Sequence, residues 1–398
     1  MMAAMEWLTV AWTAAGTAAA ILSLPGTGEL TVLTLGAALP KQRNHARELK
    51  SRWRLAVIVP AHNEEANIRD CVQSIALAKR SDWEVEIVVI ADNCDDRTAE
   101  VAASVGVRVL VRRHATLRGK GYALDFAFNT LLTEGFNAFL IVDADSAVAS
   151  NFLIETGQLL REGADAVQCR YLVKNSADSI RTRLMSIALR AFNVLRPRGR
   201  DHLGLSCGIY GNGFGLRRET LQEVPYLASS VVEDLEYHLA LVRSGKRVRF
   251  VNAATVFSEM PTGGKGVATQ RARWEGGRFR MLREKAPGLL GEVLSGRVRA
   301  LEPLLDLLLL PLAFHVFLLA VAASTPWTPA RTAGLGGLFI VLVHLTMAIA
   351  MTGGEWRDAV ALLAAPFYIL WKLLLIPLLI RNSRANTVWV RTVRGKPQ

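Results

Sequence analysis

Cysteine is scarce in this 398-residue sequence, and its few instances are scattered. Cys71, Cys94, Cys169 and Cys207 form no CxxC or other close spacing. That argues against a zinc site and suits free thiols in a reducing compartment. The chain also lacks any Lys or Arg ahead of its first apolar run, Trp7 to Leu24. A secretory signal needs a basic stretch there, so the run is expected to be a retained anchor. Basic clusters interleaved with exposed aromatics, the mark of a nucleic-acid binder, are missing too. The net charge of +12 therefore needs another origin. Lys41, Arg43, Arg47, Lys50, Arg52 and Arg54 follow the first apolar stretch, and Arg381, Arg384, Arg391, Arg394 and Lys396 follow the last. Such flanks face the cytoplasm and are attracted to anionic lipid. Membrane lipid is the expected partner, and nucleic acid is not.

Apolar residues are abundant, at 51% of the chain, and they concentrate at both ends. A spanning helix needs about 20 of them. Trp7 to Leu24 comes close; Pro25 and Gly26 are expected to break it, with Leu30 to Leu39 continuing or lying in the interface. Pro303 to Ala323 and Leu335 to Met351 are further candidates. The stretch 358–380 is irregular: Pro366 and Pro377 interrupt it and Lys372 sits inside it. A third C-terminal crossing would leave the basic tail outside, against the charge bias, so this stretch is expected to be partly interfacial or re-entrant. The expected division is an N-terminal anchor (1–40), a basic linker (41–54), a catalytic domain (55–296), transmembrane or interfacial helices (297–380) and a basic cytoplasmic tail (381–398).

Between the apolar ends the pattern changes. "LAVIVPA", "VEIVVIA", "VRVLVRR" and "AFLIVDAD" are short runs rich in β-branched residues, separated by helical patterns at Ile68 to Ala78, Thr98 to Ser104 and Gly119 to Leu132. Strands alternating with helices predict an α/β domain with a mostly parallel sheet covered on both faces. Ligands bind such sheets beyond the carboxyl ends of the strands. Polar residues gather there: His62, Asn63 and Glu64; Asp92 and Asn93; Asp143 and Asp145. Two carboxylates at i and i+2 on a strand's end point the same way and suit Mg²⁺ or Mn²⁺, which usually brings phosphates with it. An isolated pair of this kind also reads as a helix cap. Lys120 offers a cation near the same crevice. His62 and His202 read as hydrogen-bonded structural histidines. Residues Ser179 to Gly204 carry apolar side chains at helical spacing with arginines on much of the other side. They read as an amphipathic helix at a membrane surface or an ordinary packed one.

The ordered series "VIVPAHNEE", "VVIADNCDDRT", "GKGYAL", "VDADS", "GNGFGLRR", "VVEDLEYHLAL" and "QRARWEGG" resembles inverting family 2 glycosyltransferases of the GT-A fold, over roughly Leu55 to Glu284. The last motif matches the QxxRW pattern of membrane synthases such as those for cellulose, chitin and hyaluronan. The resemblance implies that Pro60, Ala61 and Glu64 border the uridine. Asp92 would touch the uracil or ribose, with Ala91 standing where the family usually has a second aspartate. Lys120 would lie near the nucleotide, Asp143 and Asp145 would hold the metal on the diphosphate, and Asp234 would be the catalytic base. Gly211, Asn212, Glu233, Gln270 and Trp274 would contact substrate, and Arg273 would stabilise the leaving group. Glu233 and Asp234 also read as helix N-terminal charges.

The expectation is a metal-dependent membrane enzyme, in a bacterial cytoplasmic membrane, that moves a sugar from a nucleotide donor, expected to be a UDP-sugar, to a polysaccharide or glycolipid. Transfer of a single sugar to a lipid carrier or other lipid is the alternative. A silent nucleotide-sugar-binding scaffold and a nucleotidyltransferase are more remote ones. So few spans raise the prospect of a homo-oligomer or an export partner.

Overall fold

A computed structural model of the chain describes residues 2–40, 53–79, 81–227, 232–261, 264–374 and 376, without the side chains of 2–4 and 264–273. The first helix, α1 (Met2–Ala38), leads to a central domain. Its strands are β1 (Arg54–Ala61), β2 (Glu84–Asp92), β3 (Arg108–Arg112), β4 (Ala138–Ile141), β5 (Ser146–Val148), β6 (Ala166–Val173), β7 (Phe214–Arg217) and β8 (Val248–Ser258). They form one sheet in the order β3-β2-β1-β4-β7-β6-β8-β5. The four strands read from sequence are parallel. Beyond them the sheet is mixed: β7 runs antiparallel to β4 and β6, while β6 and β8 are parallel.

Alternation along β1 shows why the apolar runs are continuous. Leu55, Val57 and Val59 enter one core, and Ala56 and Ile58 enter another on the opposite face. The first face is covered by α2 (Ile68–Ala76), α3 (Thr98–Ser104) and, after β5, α5 (Phe152–Arg161). The second is covered by α4 (Lys120–Leu131), whose Ala123, Leu124, Ala127, Phe128 and Leu131 are buried.

After β6 come α6 (Ile180–Arg190), a π-helical turn (Ala191–Leu195) and α7 (Arg196–His202). Next are α8 (Arg218–Glu223), α9 (Glu233–Arg243) and, past β8, α10 (Gly264–Leu294), which carries the QxxRW segment. The C-terminal part is α11 (Leu301–Leu308), α12 (Leu312–Ser324), α13 (Thr328–Met351), α14 (Trp356–Leu362) and α15 (Ala365–Leu373).

Among the described residues two helices, Met5–Ala38 and Thr328–Met351, are long and apolar enough to cross a membrane by length and composition. Contrary to the expectation from sequence, Pro25 and Gly26 do not break the first: Pro25 sits inside it. A proline's lost N–H bond is tolerated where neighbouring helices pack close, and α1 packs on α7, α12 and α13. The stretch from Pro303 to Ala323 is not straight. It is split into α11 and α12, bent by 79° where Leu309 to Pro311 interrupt the helical bonding. Residues 356–373 form two helices of seven and nine residues. Nearly all of the basic linker and the whole basic tail lie outside the described residues.

The predicted amphipathic helix at 179–204 is a packed helix pair. Four of its arginines are turned into the protein: Arg196 and Arg200 are buried against Glu29 of α1 and Asp306 of α11. Arg183 and Arg190 pair with the buried Asp358 of α14. A guanidinium can leave water when carboxylates meet it in good geometry, and breaking such a buried set costs about 3–5 kcal/mol.

Candidate active site

The loops after β1 and β2 each turn on an asparagine in the left-handed region, Asn63 at φ 55° and Asn93 at φ 50°. Asparagine tolerates this conformation because its short side chain bonds locally. Asn63 Oδ1 accepts from the Asp95 N–H at 2.8 Å, and Asn93 Oδ1 accepts from the His114 N–H at 2.8 Å. Part of the polar clustering at these strand ends is therefore scaffolding. Glu64 accepts from Asn67 Nδ2 at 2.7 Å, and its N–H donates to Thr98 Oγ1 at 2.8 Å. His62 Nδ1 lies 2.8 Å from the Asp92 carbonyl, and His202 Nδ1 lies 3.2 Å from the Gly36 carbonyl. All four cysteines are free and buried.

Asp92, expected to touch uracil or ribose, is engaged within the protein. It is 5% exposed, and its Oδ1 accepts from Arg112 Nη1 at 2.5 Å and Asn93 Nδ2 at 2.9 Å. Arg112 in turn donates from Nη2 to the Leu117 carbonyl at 2.8 Å. The pair fixes the loop that delivers Lys120 at the start of α4.

Asp143 and Asp145 lie just past β4, in a turn closed by the Ser146 N–H on the Asp143 carbonyl at 3.0 Å. The turn, rather than strand alternation, orients them, and a strand rather than a helix follows, which removes the helix-cap reading. Asn212, expected to touch substrate, is instead 1% exposed. Its Oδ1 accepts from the Asp143 N–H at 3.0 Å and its Nδ2 donates to Ser146 Oγ at 2.9 Å, clipping the aspartate turn in place. Buried Gln168 holds the Asn212 carbonyl at 2.8 Å.

Lys120 Nζ donates to both Asp143 Oδ1 and the Gly211 carbonyl. Gly211 has φ +75°, a conformation that strains any side chain. A Cβ placed on it would lie 3.4 Å from Asp234 Oδ2. Asp143, Lys120, Gly211 and Asp234 thus form a chain of contacts drawn from four separate segments. Asp234 and Glu233 open α9, and Asp234 Oδ1 accepts from the Leu235 N–H at 2.8 Å. Burial pushes the Glu233 carboxyl up to about 7, with the Asp234 charge adding to it and Lys120 opposing. Burial raises Asp234 as well, against the Leu235 N–H and Lys120. A carboxylate raised towards neutrality is suited to accept a proton.

One cavity of about 1040 Å³ joins these groups to the apolar helices. Lys120, Asp143, Gly211, Glu233, Asp234 and Trp274 line one part, and side chains of α1, α12, α13 and α15 line another. Pro60, Ala61, Glu64, Asp92, Asp145 and Asn212 are not in its lining. Gln270 and Arg273 lie on α10, but their side chains fall outside the described residues. Sequence reading missed Gly277, where a Cβ would come within 2.4 Å of Val232 Cγ1, so α10 can approach the start of α9 only through a glycine. The doubled glycine of "QRARWEGG" was the available signal. It also missed Tyr210, Arg196 and Arg278 in the cavity wall.

The profile of the family described as "Glycosyltransferase like family 2" matches residues 52–277, more than half of the chain. The chain belongs to this family. Among similar curated proteins, the probable glycosyltransferase YdaM of Bacillus subtilis is 27% identical over 255 residues, which are 62% of this chain and 59% of that protein. The β-monoglucosyldiacylglycerol synthase of Trichormus variabilis is 27% identical over 291 residues, 69% of this chain and 61% of that protein. The chain spans about three fifths of the length of these relatives. In fold it resembles the mannosyltransferase PcManGT from Pyrobaculum calidifontis, solved with GDP-Man and Mn²⁺. That likeness has a TM-score of 0.52 and 19% identity, and covers 90% of this chain and 99% of that one. The family 2 glycosyltransferase domain of this chain is thus a GT-A-like mixed sheet with flanking helices.

Proposed function

We propose that the protein transfers a glycosyl residue, with inversion, from a nucleotide-sugar to the hydroxyl of a lipid acceptor at a membrane. The carrying observation is the single cavity that holds Asp234 and Asp143 in one part and apolar helix side chains in another. A lipid can lie along those helices while its polar end reaches Asp234. The synthase of Trichormus variabilis, named for a glucosyl-diacylglycerol product, supports an acceptor of this class.

Among the described residues no cluster of three or more His, Cys, Asp or Glu side chains forms a closed metal cage. Two carboxylates in one turn are nevertheless a fitting donor set for Mg²⁺ or Mn²⁺, which takes few protein ligands and completes its shell with phosphate oxygens and water. Asp143 and Asp145 would hold the ion, and when bound it supplies charge neutralisation for the departing diphosphate. Lys120 adds a positive charge beside Asp143. Asp234 accepts the acceptor's hydroxyl proton as its oxygen attacks the anomeric carbon from the side opposite the leaving diphosphate. The new C–O bond forms as the sugar–phosphate bond breaks, which inverts the anomeric centre. General-base assistance of this kind is worth about 10²–10⁴-fold. The apolar part of the cavity excludes water and so limits hydrolysis of the donor.

A second reading, extension of a polysaccharide, draws on Trp274, whose flat face in the cavity wall suits a sugar ring. Membranes holding the protein, incubated with labelled nucleotide-sugars, separate the readings: label in the lipid extract supports the first and label in polymer the second. Asp143→Ala with Asp145→Ala should abolish divalent-dependent nucleotide binding. Unchanged metal dependence in that double variant would place the metal elsewhere.

A further inference from the structure

We propose that Arg196 and Arg200 form a headgroup subsite for an anionic phospholipid acceptor bearing a free hydroxyl. The proposal rests on the lipid-acceptor reading above and narrows its substrate class. Both arginines, with Arg278 and Asp306, line the same cavity as Asp234. Each of the two spends one nitrogen, Nη2, on the carboxylates of Glu29 and Asp306, at 2.6–3.2 Å. Among the described residues their Nη1 groups make no hydrogen bond, and Arg196 Nε, on a side chain 4% exposed, has no partner there. A planar guanidinium with spare N–H groups matches a phosphate oxygen pair.

The path to the reacting group is continuous. The Arg196 guanidinium lies 4.8 Å from the Phe192 ring centre, and that ring lies 5.3 Å from Tyr210. Tyr210 precedes Gly211, which adjoins Asp234. The arginines and Asp234 belong to one cavity but to different parts of its wall, an arrangement that suits a phosphodiester whose headgroup extends to an alcohol. In the transfer the alcohol oxygen bonds to the anomeric carbon, its proton goes to Asp234, and the nucleoside diphosphate leaves. The phosphodiester itself is unchanged.

The test uses the full chain in phosphatidylcholine vesicles containing one added lipid at equal mole fraction, with the nucleotide-sugar that supports transfer. Phosphatidylglycerol, which is anionic with a free hydroxyl, should take up label at least about tenfold faster than diacylglycerol, which is neutral with a free hydroxyl. Phosphatidic acid, anionic without the alcohol, should inhibit without being labelled. Arg200→Lys keeps the charge and should raise the KM for phosphatidylglycerol about tenfold with the donor KM unchanged. Faster or equal labelling of diacylglycerol would overturn the proposal while leaving lipid transfer intact, and a rise confined to the donor KM would reassign the arginines to the donor diphosphate. Label in polymer alone would remove the lipid-acceptor reading and this one with it. If Arg200→Lys fails to fold, the wild-type comparison and the phosphatidic acid inhibition still decide the matter.

Discussion

Replacing Glu233 by Gln tests the electrostatics of the site without touching the proposed base. In the folded protein the Glu233 carboxyl is pushed from 4.5 up to about 7 by burial and by the neighbouring Asp234 charge. A carboxyl whose folded pKa is raised binds its proton more tightly when folded. Its contribution is fully present below the unfolded pKa, near 4.5, and is lost as pH rises through about 7. At about 1.4 kcal/mol per unit, the wild type loses about 3 kcal/mol of stability from this group between about pH 4.5 and 8. The amide of the Glu233→Gln variant does not ionise, so that variant should lose none of it. The assay is thermal unfolding of ligand-free protein in detergent at about pH 5 and about pH 8.5, either side of the raised ionisation. The midpoint of Glu233→Gln minus that of wild type should grow with pH, by roughly 6–12 °C if the response is about 2–4 °C per kcal/mol. A difference that stays constant, or shrinks as pH rises, would refute a raised carboxyl and with it the electrostatic account of this pair.

Asp234→Asn should lower transfer by about 10²–10⁴-fold while nucleotide binding, read by titration calorimetry, is retained; normal turnover would remove its role as base. In the wild type, kcat/KM should fall as pH drops through the raised carboxyl ionisation, because a protonated Asp234 cannot accept the acceptor's proton. Gly277→Ala places a Cβ 2.4 Å from Val232 Cγ1. It should cost about 1–3 kcal/mol by overpacking and reduce kcat more than donor affinity, measured by melting and steady-state kinetics. Asp358→Ala leaves Arg183 and Arg190 without their shared buried partner. It should cost about 3–5 kcal/mol and release α14 from α6, seen as faster amide exchange over residues 356–362.

Much of the donor half was legible in the sequence. β1 to β4 and α2 to α4 fall within a few residues of their expected bounds, because strands buried on both faces must be continuously apolar. The rest of the sheet was not. β6 and β8 carry Gln168, Arg170, Arg249 and Asn252 within them, and the fold accepts these polar groups only because partners exist. Gln168 binds the Asn212 carbonyl, and Arg170 donates to Asn252 Oδ1 at 3.0–3.1 Å. The motif order led to Asp143, Lys120, Gly211 and Asp234, which do converge. It did not reveal that Asp92 and Asn212 are buried and hydrogen-bonded within the protein, since a polar residue beside a site looks the same in sequence whether it touches ligand or braces a loop.

By itself, then, the sequence determined the alternation of strands and helices, the apolar ends and the residue types of the site, because period and composition are local properties. Only the tertiary structure decided which charges are buried together. Arg196 meets Glu29 from 167 residues away and Asp306 from 110 away. Helical spacing cannot tell an arginine facing lipid headgroups from one facing a carboxylate, because the partner that makes burial tolerable is supplied by another part of the fold.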